Sequence, residues 1–101
     1  MKRVYNVIHR MFYLNESKHD VQMAQFINPD DAMFSNEKKA VEYAKELSLK
    51  CKELNGKPME EWHDAEPLPD QCVNTTVIFS QKEYGTDQFR HVIKVLNYVI
   101  Q

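Results

Sequence analysis

A chain of 101 residues and 12.0 kDa holds one hydrophobic core and leaves no room for a second. Thirteen Lys and Arg against fifteen Asp and Glu give a formal charge of −2, which argues against a basic protein that wraps duplex nucleic acid. Twenty-five Val, Ile, Leu and Phe, with two Gly and four Pro, exclude a disordered or low-complexity chain.

Residues 3–14 are rich in β-branched and aromatic side chains and carry no helical stripe, so they predict a long strand. Asn6, His9 and Arg10 interrupt its apolar run, so it does not read as a secretory signal. No stretch approaches the roughly 18 apolar residues of a membrane span. The expected location is the cytoplasm. Asn15 to Asp20 is turn-like, and Val21 to Ile27 is a second, weaker strand closed by Asn28-Pro29-Asp30-Asp31. These make a first hairpin.

Residues 36–54 predict a helix capped by Ser35, with Glu37 in the first turn suited to the positive end of the dipole. Ala40, Ala44, Leu47, Cys51 and Leu54 recur at spacings of 4, 3, 4 and 3 and form one apolar stripe. Asn55-Gly56 ends it, Gly56 being able to adopt the left-handed conformation. Cys51 lies on the stripe and reads as a buried thiol. Cys51 and Cys72, the only cysteines, are expected to stay reduced.

Residues 57–72 form an acidic loop with three of the four prolines. Five acids and one Lys give it −4 and leave +2 for the rest of the chain. Connections of this length are usually functional or mobile. Pro58, Glu60 and Glu61 suit a short helical turn. Trp62, the only tryptophan, reads either as an anchor for a basic partner or as a side chain pinning the loop to the domain.

Residues 74–84 predict a third strand, Gly85-Thr86-Asp87 a turn, and residues 88–100 a fourth strand. Phe89, Val92, Ile93 and Leu96 also fit a helical stripe, but the β-branched content and the short connection favour a hairpin. The expected fold class is α+β: a two-layer sandwich of a four-stranded antiparallel sheet, made of two hairpins, with one long helix on one face, in the order ββαββ. It occupies residues 1–101 as a single domain.

The second face of that sheet bears on function. In the first strand Val4, Asn6, Ile8, Arg10, Phe12 and Leu14 alternate with Tyr5, Val7, His9, Met11 and Tyr13, and both sets are substantially apolar. One helix covers one face, so the other is expected to be covered by a second copy, another protein or a bound ligand. Two-fold homodimers are the commonest solution. The reading is therefore a non-enzymatic interaction domain that self-associates through its open face, with Tyr5, Val7, His9, Met11, Tyr13 and Trp62 as interface residues.

Two alternatives come from other classes. His9 and His91 lie on the first and last strands and would form a ligand-binding or acid–base pocket if those strands were neighbours. Tyr5, His9, Met11 and Tyr13 with Arg3, Arg10 and Lys94 would form a platform for single-stranded nucleic acid, against which few cations and an acidic loop weigh. No catalytic residue, cofactor or metal is expected. His63 and Asp64 lie near Glu60, Glu61, Glu66 and Cys72, but without the spacing of a zinc motif.

Overall fold

Two long strands set the frame. β1 (Lys2–Leu14) and β6 (Phe89–Ile100) run antiparallel in unbroken register from Lys2↔Ile100 to Tyr13↔Phe89. The chain ends of the described fold thus meet at the centre of one sheet. The structure is a computed structural model that describes residues 2–14, 17, 19–22, 31–63, 73–86 and 88–100. β6 also pairs with β5 (Val73–Ser80), with a register shift between Thr75 and Val77. Pairing on both edges explains why residues 89–100 form a strand despite their helical stripe: tertiary hydrogen bonding decides between two locally adequate patterns.

The class is α+β, with one helix and an antiparallel sheet among the described residues, and the sheet is wider than the expected four strands. β2 (Asp20–Gln22) and β3 (Ala32–Phe34) share the outer edge of β1, β2 pairing with Phe12–Leu14 and β3 with Tyr5–Val7. β4 (Glu60–Trp62) adds to the far edge of β5. The strand order is β2-β1-β6-β5-β4 with β3 beside β2 on β1, and the element order is βββαβββ. β3 and β4 are three residues each, too short to show alternation in the sequence. β4 replaces the short helical turn expected after Pro58. The second strand starts at Asp20, one residue before the expected Val21, and residues 23–27 of its expected span, with residues 28–30 of the expected turn, lie outside the described residues.

Between β2 and β3, the exposed edge of β1 is capped by a side chain. The His9 amide donates to Asp31 Oδ1 at 2.9 Å, and Arg10 pairs with Asp31 Oδ2 at 2.9 Å. A capped edge offers fewer main-chain groups for pairing with another chain.

α1 (Glu37–Asn55) lies across one sheet face. Its cap is Asn36, one residue after the expected Ser35, and Asn36 Oδ1 accepts from the Lys39 amide at 3.2 Å. At the other end Gly56 takes φ 73°, and its amide donates to Lys52 O at 2.9 Å. The buried stripe is Ala40, Ala44, Leu47, Ser48, Cys51 and Asn55. Leu54 is instead 73 % exposed. The stripe steps from Cys51 by four residues, so the polar Asn55 takes the inward place. Ala40 and Ala44, both fully buried, bring the helix close to Val7, Val77, Ile93 and Val95, which are also fully buried. No helix among the described residues is long and apolar enough to cross a membrane.

Candidate functional site

The alternation of β1 decides which face α1 covers. Val7 and His9 are buried, and Tyr5 packs against the core. Tyr5, Val7, His9, Met11 and Tyr13 therefore stand on the helix side of the sheet, opposite to the side on which an open interface was expected from them. Val7 and His9 are closed to any partner. The nucleic-acid platform read from the same residues shares that helix-facing side.

The open face is built from the other register. It carries Val4, Ile8, Arg10 and Phe12 of β1, Arg90, Val92, Lys94, Leu96 and Tyr98 of β6, and Ile78 and Ser80 of β5, each adjacent in sequence to residues of the covered face. Among the described residues, no helix or strand packs over it. Trp62 joins this surface. It lies opposite Ile78 in the β4–β5 register, and the neighbouring Phe79 points into the core. Trp62 is 51 % exposed, with Lys82 Nζ 6.0 Å from its ring centroid. Two surfaces that the sequence separates, the sheet face and the tryptophan of the acidic segment, thus form one.

Two rows of side chains cross it. Trp62, Ile78, Lys94 and Ile8 follow one another from β4 to β1, and Glu60, Ser80, Val92 and Arg10 form the row beside them. The cations sit toward β1 and β6, with Arg90 stacked 4.9 Å over Phe12. The acid sits at the β4 edge, where Glu60 meets Lys82 at 3.3 Å. His63 continues from β4, exposed, with Nε2 3.5 Å from Glu61. Asp64, Glu66 and Cys72 lie outside the described residues.

The covered face holds the second feature. His9 is paired with Ile93, and Met11 with His91, so the two histidines are diagonal neighbours within reach of long side chains. His9 Nε2 lies 2.8 Å from His91 Nδ1, with ring centroids 5.0 Å apart. α1 brings Cys51 Sγ to 3.5 Å from the same His9 nitrogen. The strands are neighbours and the faces agree, as the pocket reading required. The cluster is nevertheless interior: His9 is 6 %, His91 4 % and Cys51 2 % exposed, which leaves a substrate no approach to the rings or the thiol.

Gln81 holds the His91 backbone from both sides. Its Oε1 accepts from the His91 amide at 2.9 Å, and its own amide donates to His91 O at 3.1 Å. Sequence reasoning missed both Cys51 and Gln81 as members of this cluster, because three separate elements supply it. Comparison with known families, curated proteins and solved structures finds no match to this chain.

Proposed function

We propose that this protein is a non-enzymatic association domain whose open sheet face is covered by a second copy of itself. One observation carries the reading: on the sheet face opposite α1, Phe12, Ile8, Val4, Val92, Leu96, Ile78 and Trp62 share one surface, interspersed with Arg10, Arg90 and Lys94. Trp62 is exposed and the other apolar side chains of this face are half-buried, a surface that association would cover.

The charge layout favours a second copy as the occupant. A two-fold axis parallel to the strands, between β5 and β6, superimposes β4 of one copy on β1 of the other. Such an axis keeps each row at its own height. Trp62 then meets Ile8, Ile78 meets the stem of Lys94, and Glu60 meets Arg10. The face is self-complementary under this operation, as an isologous interface requires. Lys94 meets Ile78 and not its own copy, which spares this lysine a like-charge contact with itself.

Light scattering over a concentration series tests the proposal. The expected mass is twice 12.0 kDa at micromolar protein. A monomer that persists at high micromolar concentration overturns it.

A further inference from the structure

We infer that His9, Cys51 and His91 form a binding site for a transition-metal ion of the zinc class. Their ligand atoms all lie within 4.8 Å of one another, the one such group among the described residues. Imidazole nitrogen and thiolate sulfur suit zinc and copper and are poor donors for magnesium or calcium.

The geometry is close to what an ion needs. Zinc bonds of about 2.0 Å to nitrogen and 2.3 Å to sulfur, in tetrahedral array, put the nitrogens about 3.3 Å apart and sulfur about 3.5 Å from nitrogen. Cys51 Sγ is already 3.5 Å from His9 Nε2. His9 Nε2 and His91 Nδ1 stand at 2.8 Å, so ligation asks them to part by roughly half an ångström. The third pair, Cys51 Sγ and His91 Nδ1, lies within 4.8 Å, so ligation also draws the thiol toward His91.

The convergence itself is informative. His9 Nε2 has one position for a proton and two neighbours, a nitrogen and a sulfur, within reach of it. One proton shared with His91 Nδ1 satisfies the 2.8 Å contact, and a cation in its place would serve all three atoms, which lie within 4.8 Å of one another. Three protein ligands are also the number found in zinc centres that keep one position for water or a small ligand.

The protein scaffold fixes each ligand from a different direction. β1 carries His9, whose amide is held by Asp31 at 2.9 Å. β6 carries His91, held on both backbone groups by Gln81. α1 carries Cys51 one turn before its Asn55 end, which is itself bonded to Gln81. Metal binding here ties helix to sheet, so the ion adds directly to folding stability.

Calorimetric titration of the full chain with Zn²⁺, with Co²⁺ as a spectroscopic probe, tests the site. The expected result is one ion per chain with sub-micromolar affinity, and a thiolate-to-cobalt charge-transfer band. Cys51→Ala lowers the affinity by roughly 100-fold or more and removes the band, whereas His63→Ala, at an exposed histidine, changes neither. Affinity falls as pH falls, because protons compete for the same three atoms. Where Cys51→Ala does not fold, Cys51→Ser replaces it, and the band in the unaltered protein needs no variant at all. Absence of that band, absence of saturable binding at micromolar protein, or binding lost in His63→Ala and kept in Cys51→Ala overturns the site.

Discussion

Asn55 and Gln81 exchange two side-chain hydrogen bonds in the interior: Asn55 Nδ2 donates to Gln81 Oε1 at 2.8 Å, and Gln81 Nε2 donates to Asn55 Oδ1 at 2.6 Å. Asn55 closes α1 and Gln81 follows β5, so this pair joins the C-terminal end of the helix to the sheet. Both are essentially fully buried. Asn55 also donates to Phe89 O at 3.2 Å, and Gln81 to Lys57 O at 2.8 Å. Asn55→Ala removes one partner each from Gln81 Oε1, Gln81 Nε2 and Phe89 O, which keep the His91 amide, Lys57 O and the Gly85 amide; a buried group left wholly unsatisfied would cost about 1–3 kcal/mol. The partly surviving bonds of Gln81 keep the expected loss near 2–3 kcal/mol, or a fall in Tm of roughly 10–20 °C for a domain of this size. A thermal melt of the variant measures it.

The two glycines are required for different reasons, and alanine separates them. Gly56 takes φ 73° with open space around it. Gly56→Ala therefore costs about 1 kcal/mol, the strain of a left-handed alanine. Gly85 is buried against Asn55, and a Cβ there would stand 2.3 Å from Asn55 Cβ and 2.6 Å from Asn55 O. Thr86 donates its amide to the same carbonyl at 3.2 Å, so the turn has no slack to move away. Gly85→Ala is expected to cost at least about 2–3 kcal/mol, more than Gly56→Ala, in chemical denaturation of the two variants side by side.

Val7 and Ile8 are neighbours on opposite faces, and one substitution made at each distinguishes core from interface. Val7 is fully buried among Ala40, Ala44, Val77 and Val95. Val7→Asp places an uncompensated carboxylate there and is expected to unfold the chain, at a cost above about 4 kcal/mol. Ile8→Asp alters the open face. It is expected to keep the native circular dichroism and a Tm within several degrees of the parent, while converting the dimer to a monomer in light scattering. An unfolded Ile8→Asp, or a folded one that remains dimeric, contradicts the assignment of faces.

The helix, the long first strand and the last strand are legible in the sequence because each is long enough to show its period. The choice of covered face is not, since Tyr5, Val7 and Met11 look as apolar as Val4, Ile8 and Phe12. The available signal was charge. Arg10, Arg90 and Lys94 all fall on one register, and such side chains are almost never buried unpaired. His9 and His91 fall on the other, and an imidazole can be buried when a neighbour completes its hydrogen bond. Polarity alone ranks a histidine with an arginine and so does not separate the two registers. β4 escaped because Pro58 and the acids around Trp62 describe a loop. Its strand character comes from pairing with Ile78, Phe79 and Ser80, contacts made well away in the chain. The His9–Cys51–His91 cluster was illegible for the same reason: 42 residues separate the cysteine from the first histidine and 40 from the second.

Trp62 is the chain's only tryptophan and stands on the face that a second copy is proposed to cover. Its emission therefore reports directly on that face. As protein concentration rises through the association range, the account predicts a shift of Trp62 emission to shorter wavelength and a fall in acrylamide quenching. Both should follow the same midpoint as the change in mass, and both should be absent in Ile8→Asp. Emission and quenching that stay constant while the mass doubles would contradict the account, because the copies would then meet elsewhere.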